Sequence, residues 1–497
     1  MNKILSIAFL LSCHVAVAQK KTPQQIFAQT IAAADLKKHL YVVASKEMEG
    51  RETATSGQRK ASAYIENEFK RIGLLPGNNG SYQFYYPVYQ DTLLNAALTV
   101  NGQRFQLDKD FTPNLNNIAA SEGFSETVYI GKNVTADSIK TSNLYGKLVI
   151  VTGEDRMIGT RGRISPRLEA IRNANPAAIF YADPDFPRKT ASSRNANMAF
   201  SQYKKSITPQ QYSVSAEVIK TILGSGYQNT LSLITPTIFQ SNVLFTIDKV
   251  TKTLQSSNVI GILPGTDLKD QYLFITAHYD HLGKRDTVVY YGADDDGSGT
   301  VSVLELAEAF AKAKAAGKES RRTLVFMTVS GEEKGLWGSE YYTSHPVFPL
   351  DKITADLNID MVGRNDNRRT VGDSTNYVYI VGDDKLSSDL KPINEAQNKK
   401  YTNLELDYKY NDPNDRERIY YRSDHYNFAR NGVPIIFYTD GMQQPDYHRP
   451  TDTPDKINYE LLAKRAQLVF YTAWEMANRN EMLKRDIAMP VLQGRSN

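Results

Sequence analysis

At 497 residues the chain is too long for one ordinary hydrophobic core and predicts about two or three domains. With 41% hydrophobic and 23% charged residues it reads as a soluble globular protein. The 59 basic residues against 55 acidic ones leave a net charge of +4 spread along the chain, so charge gives no ground for nucleic acid or an anionic membrane as partner.

Met1 to Ala18 has a basic start at Lys3, an apolar run from Ile4 to Leu11, and small residues Ala16 and Ala18 before Gln19. That pattern predicts a cleavable signal peptide over residues 1–18 and a periplasmic or secreted protein. Cys13, the only cysteine, lies within it. Leu10-Leu11-Ser12-Cys13 loosely resembles a lipoprotein box, but the apolar Val15 to Ala18 suits cleavage after Ala18 better than a lipid anchor. The mature chain then has no thiol, so any metal site must be built from His, Asp and Glu. No later stretch approaches the roughly 20 apolar residues of a transmembrane segment.

From Thr22 to Leu75 apolar residues recur at spacings of three and four (Leu36, Leu40, Val43; Ala61, Tyr64, Ile65, Phe69, Ile72), which predicts helices ended by Gly73 and the Pro76 to Gly80 cluster. Alternation at Gln83 to Val88 and Ala97 to Val100 predicts strands, and a boundary follows near Pro113. Residues 120–248 change character, with strands over Glu126 to Ile130, Lys147 to Val151, Ala177 to Tyr181 and Ser241 to Ile247 around helices Pro166 to Asn173 and Ala216 to Leu223. This stretch predicts an inserted β-rich or α/β lobe.

From Asn258 strand and helix alternate. Strands are expected at Val259 to Leu263, Tyr272 to Ala277, Thr323 to Thr328, Ala355 to Ile359, Tyr377 to Val381 and Pro434 to Tyr438. Helices are expected at Thr300 to Ala316, Trp337 to His345, Leu386 to Gln397, Tyr426 to Arg430 and Tyr459 to Asn478. The fold class is therefore α/β, a mostly parallel mixed sheet covered by helices on both faces. Ligands of such sheets gather beyond the carboxyl ends of the strands.

Polar residues cluster at those ends. Side chains two apart on a strand face the same way, so His278 can bind a metal while Asp280 accepts a hydrogen bond from its ring. In Asp294-Asp295-Asp296-Gly297-Ser298-Gly299, three acids crowd before two glycines; the run either binds a cation or caps the helix from Thr300. Glu332-Glu333 follows a strand, where one carboxylate can coordinate and the other accept a proton, or both can sit exposed on a loop. Asp360 ends an apolar strand, a costly place for an unpartnered carboxylate. His448 lies in the loop Tyr447-His448-Arg449-Pro450 and alone is compatible with any surface histidine.

In this order, the segments resemble peptidase family M28, the zinc aminopeptidases of the Vibrio and Streptomyces type, over roughly residues 35 to 90 and 255 to 478. The resemblance implies two Zn2+ per chain, with Co2+ or Mn2+ as substitutes. His278, Asp295 and Asp360 would hold one ion, and Asp295, Glu333 and His448 the other, so that Asp295 bridges. Asp280 would stand behind His278, Glu332 would be the general base, and Tyr447 occupies a position where some members stabilise the oxyanion. Peptide or protein N-termini would be the substrates. The domain plan that follows is residues 19–115 for the N-terminal part of the peptidase domain, 120–248 for an insert resembling a protease-associated domain, 255–481 for the catalytic domain and 482–497 for a tail.

Arg156, Arg161, Arg163, Arg167 and Arg172 in the insert suit either acidic peptides or a solvated face, with the solvated face favoured. Tyr420 to Phe428 reads as a substrate wall, with Asp424 and His425 left out of the metal set. Competing readings are a carboxypeptidase of the same superfamily, with Arg416, Arg418 and Arg422 meeting a terminal carboxylate, and a single-zinc glutaminyl cyclase. A third is an exported binding protein on an inactive peptidase fold. The sequence sets neither side-chain preference nor oligomeric state.

Overall fold

The computed structural model describes residues 21–152, 164–441 and 444–489. The signal-like segment with Cys13, and Arg156, Arg161 and Arg163, lie outside the described residues. The chain divides into two compact units, Met1–Tyr86 with Ser256–Asn497, and Pro87–Gln255.

In the first unit the strand order is Glu405–Asp407, Tyr377–Val381, Ile435–Thr439, Ile353–Ile359, Leu268–His278 and Arg322–Val329, followed by the end of Thr237–Leu263. Four adjacent central strands, from Ile435–Thr439 to Arg322–Val329, run parallel, and antiparallel neighbours flank them. The architecture is thus a mixed, mostly parallel α/β sheet.

Alternation along each strand feeds two cores. Leu273, Ile275 and Ala277 pack with helices Ala33–Val43, Ser56–Ile72, Gly299–Ala315 and Tyr459–Asn478. Phe274 points the other way, to Tyr342 of helix Trp337–Ser344 and Phe428 of His425–Ala429. A strand apolar on both faces needs cover on both, and the helices supply it. Fully buried parallel strands place their carboxyl ends at a common edge, which fixes where polar side chains emerge.

The second unit has its own core. Strands Ala120–Ile130, Leu148–Val151, Ala178–Ala182 and Gln210–Val214 pair in parallel in that order, and helices Pro166–Asn173 and Ala216–Leu223 flank them. Residues 87–115, grouped by sequence pattern with the N-terminal part of the peptidase domain, pack here instead. Leu93, Leu98, Val100, Phe105 and Phe111 share a core with Phe180 and Phe245. Pro113, where the sequence suggested a boundary, ends strand Phe111–Pro113 inside this unit, and the chain enters the unit at Pro87.

Residues 482–489, expected as tail, are attached to the sheet. Leu483 is buried and its N–H donates to the Thr354 hydroxyl, while Arg485 donates to the carbonyls of Leu350 and Ile353. Among the described residues no helix is long and apolar enough to cross a membrane.

Candidate metal centre

His278 is the last residue of its strand, and Asp360 follows the last residue of the neighbouring strand Ile353–Ile359. Glu332 and Glu333 follow Arg322–Val329 through Ser330 and Gly331. At φ +75 Gly331 makes a turn with no room for a side chain, since a Cβ would stand 2.6 Å from the Tyr86 hydroxyl. Asp295 sits in the turn before helix Gly299–Ala315, and His448 in the loop after Ile435–Thr439. Five separate segments therefore deliver side chains to one crevice.

There, His278 Nε2 lies 3.3 Å from Asp295 Oδ1 and 3.5 Å from Asp360 Oδ1. His448 Nε2 lies 3.2 Å from Asp295 Oδ2 and 3.0 Å from Glu333 Oε2. Ligand atoms about 2.0–2.1 Å from a shared tetrahedral ion stand about 3.3–3.4 Å apart. The observed spacings have that size. The two oxygens of Asp295 face different histidines, which divides the cluster into two groups joined through one carboxylate.

Hydrogen bonding points to the same chemistry. His278 Nε2, Asp295 Oδ2, Glu333 Oε1 and both oxygens of Asp360 are buried without an aligned hydrogen-bond partner. Buried carboxylates with idle lone pairs are costly unless a cation engages them, so the donor set fits two divalent ions. It holds only imidazole and carboxylate, a set that zinc, cobalt and manganese accept.

The three consecutive aspartates divide their work. Asp296 is close enough to His278 and Asp360 to join them around an ion. Its oxygens, however, already accept main-chain N–H groups from Gly299 at 2.8 Å, Met361 at 3.0 Å and His278 at 3.3 Å. Asp296 thus clamps the strand ends, whereas Asp295 keeps Oδ2 without an aligned hydrogen-bond partner and so available to an ion. Asp294 turns away to accept from the Gly363 N–H at 2.8 Å. Asp452 accepts the N–H groups of Asp294 and Asp295 and so fixes the acidic turn.

Asp280 departs from expectation in detail. The His278 Nδ1 hydrogen bond goes to the main-chain carbonyl of Asp280 at 3.1 Å, with the carboxylate 3.7 Å away. The strand has already ended, so simple alternation no longer sets the partner. That carboxylate instead accepts from the Thr53 hydroxyl at 2.7 Å and the Glu332 N–H at 3.2 Å. It thereby ties the loop of Glu332 to the His278 segment. Tyr447 stacks on His448, and its hydroxyl accepts from Arg422 Nη2 at 3.0 Å.

Charge follows geometry. Burial would raise Asp295, but the His278 and His448 imidazoles, 3.3 and 3.2 Å from its two oxygens, outweigh it and hold the carboxyl well below the usual range. Glu332 moves oppositely: burial, with Glu333, Asp360 and Asp424 adding repulsion, raises it well above normal against the pull of His278. Burial lowers His448, yet its bonds to Asp295 and Glu333 prevail and push it up to about 10. Unequal carboxylates side by side are what separate ligand from proton-transfer roles.

Other residues singled out from the sequence lie elsewhere or serve other ends. His425 is buried with Nε2 against the Tyr420 carbonyl, and burial lowers it to about 3. Asp424 accepts from Ser339 and is pushed up to about 7, chiefly by burial. Arg167 donates to the Lys132 and Gly131 carbonyls of its own unit. Two residues escaped the sequence reading. His281 is buried beside Glu333, and Arg51, wholly buried, donates to the carbonyls of Val43, Tyr279, Tyr291 and Gly292. Arg51 thus binds together the segments that carry His278 and Asp295.

Residues 258–473 match the profile of peptidase family M28. The chain is 30% identical over 236 residues to a probable leucine aminopeptidase of Trichophyton verrucosum (strain HKI 0517), covering 46% of this chain and 60% of that one. It therefore spans about three fifths of the length of that curated relative. Its structure is similar to that of an aminopeptidase from Aneurinibacillus sp. strain AM-1, with a TM-score of 0.55 at 19% identity, covering 94% of this chain and 98% of that one. The zinc aminopeptidase BSAP from Bacillus subtilis gives a TM-score of 0.53 at 18% identity, covering 92% and 98%. At such identities the likeness is one of fold.

Proposed function

We propose that this chain, whose residues 258–473 match the profile of peptidase family M28, is an exported di-zinc aminopeptidase releasing N-terminal residues from peptides. The observation that carries the two-ion reading is the split of Asp295, Oδ1 towards His278 and Oδ2 towards His448. His278, Asp295 and Asp360 would hold one zinc, and Asp295, Glu333 and His448 the other. Bound there, the ions supply Lewis acidity, lowering the pKa of a water in the crevice and polarising the scissile carbonyl.

The chain's own groups do the rest. Glu332, raised by burial and by its carboxylate neighbours, accepts a proton from the attacking water and returns it to the leaving amine. Asp280 keeps that base in place through the Glu332 N–H. The Tyr447 oxygen is occupied as acceptor by Arg422, which leaves its own O–H free to donate to the oxygen that becomes negative during attack. The similarity to a probable leucine aminopeptidase supports an aminopeptidase over a carboxypeptidase.

Export rests on the basic and apolar pattern of residues 1–18. For the unit Pro87–Gln255 we propose a part in substrate access or selection, as the resemblance to a protease-associated domain suggests. The test is hydrolysis of leucine aminomethylcoumarin beside its N-acetylated form, with and without chelator. We expect cleavage of the free-amine substrate alone, lost on chelation and restored by zinc. Equal cleavage of both substrates, or indifference to chelator, would refute the proposal.

A further inference from the structure

The two-ion arrangement leaves one buried imidazole beside the second ligand group without a task. His281 Nδ1 lies 2.7 Å from Glu333 Oε1 and 3.8 Å from Asp295 Oδ2, and the side chain is wholly buried. Its position is built from several sides. The His281 N–H donates to the Arg51 carbonyl at 3.3 Å. Gly292, at φ +54, presents bare backbone to the ring, where a Cβ would fall 2.5 Å from His281 Cγ and 2.6 Å from Cδ2. The His448 ring stands across from it, centroids 5.9 Å apart at 69°.

We propose that His281 is a positioning residue for the second cation, holding Glu333 Oε1 so that Oε2 stays turned towards His448 and the ion. This inference rests on the two-ion reading above. A glutamate side chain is free about several torsions, and freezing it costs entropy each time an ion binds unless something holds it beforehand. A donor behind a ligand also fixes its orientation and is worth about 10–100-fold in metal affinity.

His281 stands close enough to Asp295 and Glu333 to surround an ion with them, but the His281–Glu333 spacing favours support over ligation. The neighbouring ligand pairs, at 3.0–3.5 Å, have the edge length of a shared tetrahedral ion, about 3.3–3.4 Å. The 2.7 Å between His281 and Glu333 is instead hydrogen-bond length. The contact is off-line, with neither atom in an aligned bond.

The test is zinc titration of metal-free wild type, His281→Ala and His281→Asn against a chromophoric chelator, with visible spectra of the cobalt-loaded forms. Wild type should bind two ions. His281→Ala should weaken the second about 10–100-fold and leave the first unchanged. His281→Asn, whose amide can donate to Oε1 yet binds zinc poorly, should recover most of the loss with a cobalt spectrum like that of wild type. Unchanged affinity in His281→Ala overturns the proposal, as does loss of both ions. Failure of asparagine to rescue overturns it too and makes the ring a ligand. A wild-type chain that binds one zinc overturns the two-ion reading itself, and the role of His281 with it.

Discussion

Replacing Glu332 by glutamine keeps the shape of the side chain and removes its capacity to accept a proton. Glu332 Oε2 stands 3.9 Å from His278 Nε2, and the residue's N–H is held by Asp280 at 3.2 Å. Neither relation needs a carboxylate at position 332, so backbone and ligands should stay put. A positioned acid or base is worth about 10²- to 10⁴-fold. At about 1.36 kcal/mol per decade that is about 2.7–5.4 kcal/mol of barrier. The same carboxyl would act twice, taking a proton from water and giving it to the amine, which places the expected loss near the upper end. The assay is kcat on leucine aminomethylcoumarin, with zinc content measured on the same sample. We expect wild-type zinc and a rate down by several orders of magnitude. A rate within about tenfold of wild type at full zinc would refute the role. So would a fall in step with lost zinc, since that would make Glu332 a ligand.

Asp295→Ala should lower occupancy of both ions, whereas His448→Ala should lower only the second; elemental analysis of dialysed protein distinguishes the two. Zinc uptake should release protons and tighten as pH rises, because His448 is pushed up to about 10 in the metal-free protein by Asp295 and Glu333 and must lose its proton to ligate. Calorimetry in buffers of different ionisation enthalpy measures that release. The sign for metal-free stability is opposite: the His448 contribution is complete below about pH 6.5, its unfolded value, and is lost as pH climbs through about 10. The metal-free Tm should therefore fall between those limits, modestly, given the partial exposure of the ring.

What the sequence revealed follows from which interactions are local. Strands such as Tyr377–Val381 and helices such as Pro166–Asn173 and Tyr459–Asn478 matched to the residue, because period and boundary signals lie within the element. Strand Gln210–Val214 went unseen. Its inward face carries Gln210 beside Tyr212 and Val214, so a buried glutamine broke the apolar pattern. His278, Asp295, Glu333, Asp360 and His448 were readable because carboxylates and imidazoles at strand ends are chemically conspicuous. His281 was not, since alternation from His278 and Asp280 would send it to the opposite face. The strand ends at His278 and His281 bridges to Glu52 instead, so alternation no longer sets its direction. Arg51 is silent in sequence: three of its four main-chain carbonyl partners lie 228–241 residues away, and nothing local announces a buried guanidinium.

A two-ion centre requires Asp295 to be shared by both ions. Anomalous diffraction at the zinc edge from crystals grown with zinc tests that directly. Two peaks are expected, one against His278 and Asp360 and one against Glu333 and His448, with one oxygen of Asp295 on each. A single peak, or peaks that leave Asp295 uncoordinated, would contradict it.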